Sequence, residues 1–247
     1  MSSVKKIVFA VVILCVQFSN GNCQSPYQLK SSREYLLTGS SIGVSLTGYL
    51  LSVNKHNLTL DDLSKLKSSA VNSFDRSAIK YYSSSAAGTS DVLMISSLAI
   101  PFTLLLDKNI RDHSWQIGLL YFETIAVASV GINISKGLVR RPRPYTYNPD
   151  VPESEKQKMD ATNSFFSGHT TMSAAGTFFA AKVFCDTHPE SKWKPAVWVG
   201  AAAIPLATGF YRYRAGKHFP TDVIIGYCWG ALSGILIPQL HHQKKVN

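Results

Sequence analysis

Apolar side chains in this chain gather into long runs from which charge is almost absent. After an opening stretch, Ile7–Val16, the runs are Tyr35–Val53, Val92–Leu106, Ser114–Ser135, Thr170–Cys185, Pro195–Tyr211 and Val223–Leu240. Ser114–Ser135 contains one acid, Glu123, and Thr170–Cys185 one base, Lys182; the last two runs contain no charge. A helix needs roughly 20 mostly apolar residues to cross a bilayer, and several runs are somewhat short of that. Five or six in one chain, parted by charged loops, predict an all-α helical bundle integral to a membrane. The competing reading is a soluble all-helical protein with unusually apolar core helices. No stretch sustains period-two alternation, so a β-barrel is not expected.

The start of the chain has a different pattern. Lys5 and Lys6 precede the first apolar run, and Ser19-Asn20-Gly21 and Gly21-Asn22-Cys23 follow it. Positive end, short apolar middle and small-residue site describe a secretory signal over residues 1–23, cleaved near 21–23; an uncleaved anchor is the alternative. Residues 24–89 then form an N-terminal helix and a polar linker, and residues 90–247 the unit that carries the chemistry. The polar stretch Asn54–Asp91 contains Thr59-Leu60-Asp61-Asp62, which suits a short amphipathic helix capped by Thr59.

Composition removes other classes. With 247 residues, 45% of them hydrophobic and 16% charged, and with Gly 16 and Pro 11, the chain is neither disordered nor fibrous. Its four cysteines, Cys15, Cys23, Cys185 and Cys228, form neither a disulfide scaffold nor a zinc spacing. Cys185 and Cys228, inside apolar runs, read as small buried hydrophobes. The formal charge of +10 is concentrated in the loops. Lys108 with Arg111, Lys192 with Lys194, and Lys244 with Lys245 favour the cytoplasmic side, and the Lys182 ammonium can reach that interface. The loops 136–169 and 212–222 then face outward, toward the periplasm or cell exterior. After a cleaved signal an outward site requires an even number of crossings before Lys136, so Tyr35–Val53 is expected to pack peripherally or re-enter. Nucleic acid is not an expected partner, and no obligatory protein partner is evident.

Those two loops hold nearly all the reactive residue types. The first runs from Lys136 to Pro144 and includes Arg140, Arg141 and Arg143, with Pro142 and Pro144 restraining the backbone around Arg143. Arginine offers a planar fork to phosphate oxygens and lysine a compact point charge. The second piece, Ser167-Gly168-His169, opens an apolar run. Backbone N–H groups at a helix start suit an anion, and Gly168 lets the backbone approach it. His169 stands at the mouth of that nest as a proton donor. In the third piece, Arg212 to Asp222, Pro220 suits the first helical position and Asp222 falls in the first turn. The Asp222 carboxylate can fold back toward His218 and hold one ring nitrogen, leaving the other as a directed lone pair.

At these residues the chain resembles the type-2 phosphatidic acid phosphatase superfamily. Lys136 with Arg143-Pro144, then Ser167-Gly168-His169, then Arg212 with His218 and Asp222 stand at the family spacing. Phe166 replaces a family proline and Tyr211 a family serine, which puts one hydroxyl contact in doubt. The resemblance spans about residues 90–240. It implies that His218 attacks phosphorus and becomes a phosphohistidine while Asp222 orients it. It implies that His169 protonates the leaving group and then helps activate water. It implies that Lys136, Arg143, Arg212 and the backbone around Ser167 and Gly168 hold the equatorial oxygens. Positioned cations meet the needs of phosphoryl transfer, so neither metal nor cofactor is expected.

The expected activity is hydrolysis of a lipid phosphate monoester or diphosphate by a membrane enzyme, with transfer to another alcohol also open. The alternatives are a soluble secreted acid phosphatase, a vanadium-dependent haloperoxidase and a non-catalytic protein that binds anionic lipid. Arg140, Arg141, Arg214 and Lys217 read as a solvated basic rim or a second phosphate site. Glu123 needs a partner inside its helix bundle, with Lys136 the one suggested. His241 and His242 read as a soluble end.

Overall fold

A computed structural model describes residues 25–243, so the signal expected over 1–23 and the basic tail at Lys244 and Lys245 lie outside the described residues. Among the described residues the chain forms six long helices and no sheet: α1 (Ser31–Val53), α2 (Ser84–Thr103), α3 (Ser114–Leu138), α4 (Gly168–Thr187), α5 (Lys194–Arg214) and α6 (Pro220–His241). Four of them, α1, α2, α3 and α6, are long and apolar enough to cross a membrane. Leu36, Leu46, Phe102, Phe122 and Leu232 on these helices face outward. A continuous apolar exterior of this kind suits lipid rather than water. The all-α bundle expected from the apolar runs is the architecture observed, with four helices suited to a membrane where five or six apolar ones were expected.

Cysteine burial differs from expectation for the same reason. Cys185 is half-buried near the end of α4, and Cys228 on α6 is exposed, because an apolar residue in a lipid-facing helix need not turn inward.

Helix ends sit where local chemistry dictates. The Thr59 hydroxyl accepts from the Asp62 amide while the Asp62 carboxylate accepts from the Thr59 amide, capping Leu60–Lys65 as anticipated. The polar stretch ends earlier than Asp91, because the Ser83 hydroxyl accepts from the Ala86 amide and starts α2 there.

The first helix bears on another expectation. It is continuous over 23 residues, about 35 Å, with no break of the kind a re-entrant segment needs, and it is long and apolar enough to cross a membrane. It runs parallel to α3: Thr38 Oγ1 donates to Glu123 at 3.2 Å, and Asn133 Nδ2 to Ser45 Oγ at 2.7 Å. Gly48 lies directly against the Asn133 backbone, and Gly137 against the Gly48 carbonyl. Side chains there would force the two helices apart. α1 and α3 therefore finish at the same end of the bundle, and Ser31 begins at the other.

The centre belongs to α4. Most of its buried positions are Ser, Thr, Ala and Gly, with Phe178, Phe179, Lys182 and Val183 toward its far end, and polar side chains tie it to its neighbours. Ser173 Oγ lies 2.7 Å from Ser97 Oγ of α2 and accepts from Thr208 Oγ1 of α5 at 3.1 Å. Gly226, Gly230 and Gly234 repeat every four residues on α6, so one row meets α4. A Cβ on Gly230 would stand 2.1 Å from the Thr171 carbonyl oxygen. Backbone touches backbone along this seam.

The end of the bundle where α6 finishes is closed by a buried lock. His241 Nδ1 donates to the Ile237 carbonyl at 2.7 Å, which leaves Nε2 facing Glu34 Oε2 at 2.7 Å and Glu123 Oε2 at 3.3 Å. Arg33 pairs with Glu34 from the same helix at 3.1 Å. Glu123 thus meets His241 and Thr38, not Lys136, because it lies more than three turns from Lys136 along α3. His241 is buried rather than part of a soluble end, and His242 packs its ring edge-on to Tyr27 at 6.0 Å. Glu34, Glu123 and His241 could also hold a metal ion; His241 Nε2 hydrogen-bonds Glu34, while Glu123 Oε2 at 3.3 Å has no hydrogen-bond partner among the described residues and meets the ring by charge alone. Replacing His241→Leu leaves the buried Glu123 without a cation and takes one partner from Glu34, and is expected to cost about 3–5 kcal/mol. The loss should be visible as a lowered melting temperature in detergent, with a smaller loss for Glu123→Gln; a His241→Leu protein that melts like the parent would refute the lock.

Candidate active site

At the opposite end, two loops fold over the helix tips. The loop after α3 is zipped to itself: the Arg141 amide donates to the Thr162 carbonyl at 2.9 Å, the Arg143 amide to Ala161 at 2.8 Å, and the Ser164 amide to Arg141 at 3.1 Å. The turn after α5 depends on Gly216, whose φ of +68° favours glycine. A Cβ there would also stand 2.0 Å from the Tyr81 carbonyl oxygen. This turn delivers Lys217 and His218 to the first loop.

His218 is almost wholly buried. Its Nδ1 is 2.6 Å from the Ser164 carbonyl oxygen, which can only accept, so Nδ1 carries the proton. Nε2 therefore presents a lone pair, 3.4 Å from Arg143 Nη1, which can only donate. Burial lowers the His218 pKa well below its usual value, and the charges of Arg143, Arg212 and Lys136 lower it further. The ring is held neutral.

Asp222 is fully buried in the first turn of α6, as expected. It does not hold the imidazole directly: Oδ2 is 3.9 Å from His218 Nδ1. That oxygen instead accepts from Ser164 Oγ at 2.6 Å and the Phe219 amide at 2.9 Å. The Ser164 carbonyl has taken the position expected for the carboxylate, because the zipped loop brings it nearer to the ring.

The cations converge on this ring. Arg143 is buried, with Nε donating to the Asp160 carbonyl at 2.9 Å and Nη1 to the Lys217 carbonyl at 3.0 Å. Arg212 is buried too; its Nη1 donates to Ser90 Oγ at 3.3 Å and lies 3.6 Å from Asp91, and its Nε has no partner. Lys136, in the last turn of α3, reaches the start of α4, where a Cβ on Gly168 would lie 3.4 Å from its ammonium.

Ser167 differs from expectation. Its hydroxyl caps α4 by accepting from the Thr170 amide at 3.4 Å, and its own amide donates to the Asp222 carbonyl at 3.0 Å. That leaves the first-turn amides of Gly168 and His169 as the nest. His169 stands at the mouth, its Nε2 2.7 Å from Asp91.

Sequence reasoning missed Asp91, Ser164, Asp160, Asp75 and the true position of Arg141. Arg141 is no rim residue. Its Nη1 donates to Asp222 Oδ1, and its Nη2 to Asp75 Oδ2 at 2.7 Å. Asp75, fully buried, comes from the polar stretch before α2. No spacing pointed to it, since a lone acid in a polar stretch reads as solvated. The other three basic residues do line the rim. Arg140 faces Asp62 at 3.7 Å, Arg214 lies over Tyr81 at 4.4 Å, and Lys217 over Tyr145 at 4.7 Å.

Comparison with known proteins bears on this arrangement. A probable diacylglycerol pyrophosphate phosphatase 1 of Schizosaccharomyces pombe is 28% identical over 159 residues, covering 53% of this chain and 56% of that protein. A lipid A 1-phosphatase of Rhizobium johnstonii is 31% identical over 131 residues, 50% of this chain and 47% of that one. The chain spans about half the length of the curated relatives it matches. A crystal structure of a transmembrane PAP2 type phosphatidylglycerolphosphate phosphatase from Bacillus subtilis aligns over 81% of this chain and 94% of its own, with a TM-score of 0.47 and 20% identity. The pattern of the PAP2 superfamily matches residues 117–245, more than half of the chain and a span within which Lys136 to Asp222 lie, and the chain belongs to that superfamily.

Proposed function

We propose that this protein is a membrane phosphatase that removes phosphate from a lipid phosphate monoester or diphosphate by way of a phosphohistidine at His218. The observation that carries the reading is the neutral His218 ring, whose Nε2 lone pair opens among Arg143, Arg212 and Lys136. The named activities of the relatives, phosphatases of diacylglycerol pyrophosphate and of lipid A, support a lipid substrate. The apolar exterior favours a membrane enzyme over a soluble secreted one.

In the first step the Nε2 lone pair forms a bond to phosphorus as the bond to the leaving oxygen breaks, and His169 gives that oxygen a proton. In the second step His169 takes a proton from water, whose oxygen bonds to phosphorus as the nitrogen–phosphorus bond breaks. Arg143, Arg212, Lys136 and the Gly168 and His169 amides face the charge that builds on the equatorial oxygens. Asp222, too far from Nδ1 for a hydrogen bond, steadies the positive charge on the phosphorylated ring through space. These cations supply the charge, so turnover should persist in excess chelator.

Inorganic phosphate release from a panel of lipid and water-soluble phosphoesters, measured in detergent with chelator, tests the reading. His218→Asn should lose at least about a thousandfold in kcat, and His169→Asn roughly 10²–10⁴-fold. A phosphorylated protein, labile to acid and stable to alkali, should be trapped from the parent and not from His218→Asn. Parent-like release by His218→Asn would overturn the mechanism.

Protonation of His218 blocks attack. Because its pKa is lowered, the acid limb of phosphoenzyme formation in single turnovers should lie below pH ~6.5, the ordinary imidazole value. A limb assigned to His218 at or above that value would contradict the buried, neutral ring.

We also propose that the site faces outward. The short loops at the far end hold Lys108, Arg111, Lys192 and Lys194, which favours that end for the cytoplasm. With α1 crossing the membrane, Ser31 then starts on the cytoplasmic side, which does not fit a leader cleaved outside. In a background without native cysteines, Asp150→Cys should react with an impermeant maleimide on intact cells and Asn109→Cys only after lysis. The reverse pattern would invert the assignment.

A further inference from the structure

Two fully buried carboxylates, Asp75 and Asp222, share one guanidinium. Arg141 gives Nη1 to Asp222 and to Thr221 Oγ1 at 2.9 Å, and gives Nη2 to Asp75 at 2.7 Å. Its planar face lies 4.3 Å from the centre of the Phe219 ring, next in sequence to His218. The fork is therefore fixed at both ends and on one face.

Asp75 does more than neutralise charge. Its Oδ1 accepts from the Thr221 amide at 3.0 Å and its Oδ2 from the Thr221 hydroxyl at 2.7 Å. One of the free N–H groups at the start of α6 is thus capped by a residue 146 positions away. Asn72 holds Asp75 in turn, donating from Nδ2 at 2.7 Å and accepting from its amide at 2.9 Å.

The connections lead to the nucleophile. Arg141 grips the first loop through its backbone, accepting from the Ser164 amide, and grips α6 through its side chain. Ser164 links both: its hydroxyl donates to Asp222 and its carbonyl holds His218 Nδ1. With Asp75 and Asp222 charged, the trio with Arg141 has a net charge of −1 behind an imidazole that becomes positive when phosphorylated.

We propose that Asp75 and Arg141 are positioning residues for the nucleophile, holding Asp222 and Ser164 so that His218 Nε2 stays aimed at phosphorus. This rests on the reading of His218 given above. Asp75 lies outside residues 117–245, the stretch matched by the superfamily pattern, so the polar segment before α2 completes the site.

The test uses the full-length protein in detergent. Asp75→Asn preserves shape and removes one negative charge. It should lower kcat roughly 10- to 100-fold, the scale of a small misplacement at a reacting centre, with KM within about threefold. The acid limb assigned to His218 should move to lower pH. A nearby anion has been lost, and Arg143, Arg212 and Lys136 still oppose protonation, with Asp222 and its partner Arg141 unchanged in number. A merely structural role would loosen the burial and let the limb rise toward pH ~6.5, the ordinary imidazole value. Thr221→Val, which keeps every charge and removes one hydroxyl, should give a smaller kcat loss and serves if Asp75→Asn does not fold. In the Asp75→Asn/Arg141→Gln pair the losses should fall short of multiplying, the mark of two groups acting as one. Parent-like kcat in a folded Asp75→Asn or Thr221→Val protein, a limb that rises, or losses that multiply would each overturn the proposal. An inactive parent, or an active His218→Asn, would instead overturn the reading of the site on which it rests.

Discussion

An imidazole attacks phosphorus only while it is neutral and only while one nitrogen is turned toward the target. Both requirements conflict with ordinary solvation, where the ring rotates and takes up a proton near pH 6.5. Here the ring is buried and one nitrogen is committed to a backbone carbonyl. The same burial makes cations costly, yet Arg143 and Arg212 are buried beside it. Their cost is offset by Asp160, Asp91 and carbonyl oxygens at the edges. The Arg212 Nε left without a partner shows the compensation to be incomplete. On the proposed reading a phosphate group would complete it, and the cost of keeping cations out of water would become affinity for the substrate.

The bundle exists to hold this geometry. The site's residues come from the tips of α3, α4, α5 and α6 and from the loops between them. Drawing four helix tips around one imidazole needs close axes, which explains the small residues of α4 and the glycine row of α6. Bulky apolar residues would pack as well against lipid and would spread the tips apart. Inward small residues and outward large ones follow from a single geometric demand.

Much of this was legible in the chain itself. Runs without charge marked the helices, and turn chemistry marked their starts, as at Thr59 and Pro220. The spacing of Lys136, Arg143, His169, Arg212, His218 and Asp222 marked residues that the structure gathers at one end of the bundle, since each lies at a helix tip or its loop. The rest depended on side chains reaching across the molecule. Asp75 and Arg141 are 66 residues apart, and nothing in either local pattern reveals the other. The exchange of Asp222 for the Ser164 carbonyl at His218 turns on about an ångström of loop placement, which spacing does not carry. Glu123 and His241 were read apart because one is a lone acid in an apolar run and the other a tail histidine. Their meeting depends on α3 and α6 lying side by side.

The composition of α4 bears on how the bundle is completed. Though it runs through the centre of the bundle, α4 is not among the four helices apolar enough to cross a membrane unaided. Its serines and threonines are at ease only when α2, α5 and α6 surround them. A helix of this composition depends on its neighbours to shield its polar groups from lipid, and α6, which lines one side of it, comes after it in the chain. Without α6 the helix that opens with His169 has no full set of companions. The packing of α6 thus completes both the shelter of the central helix and the ring of helix tips around His218.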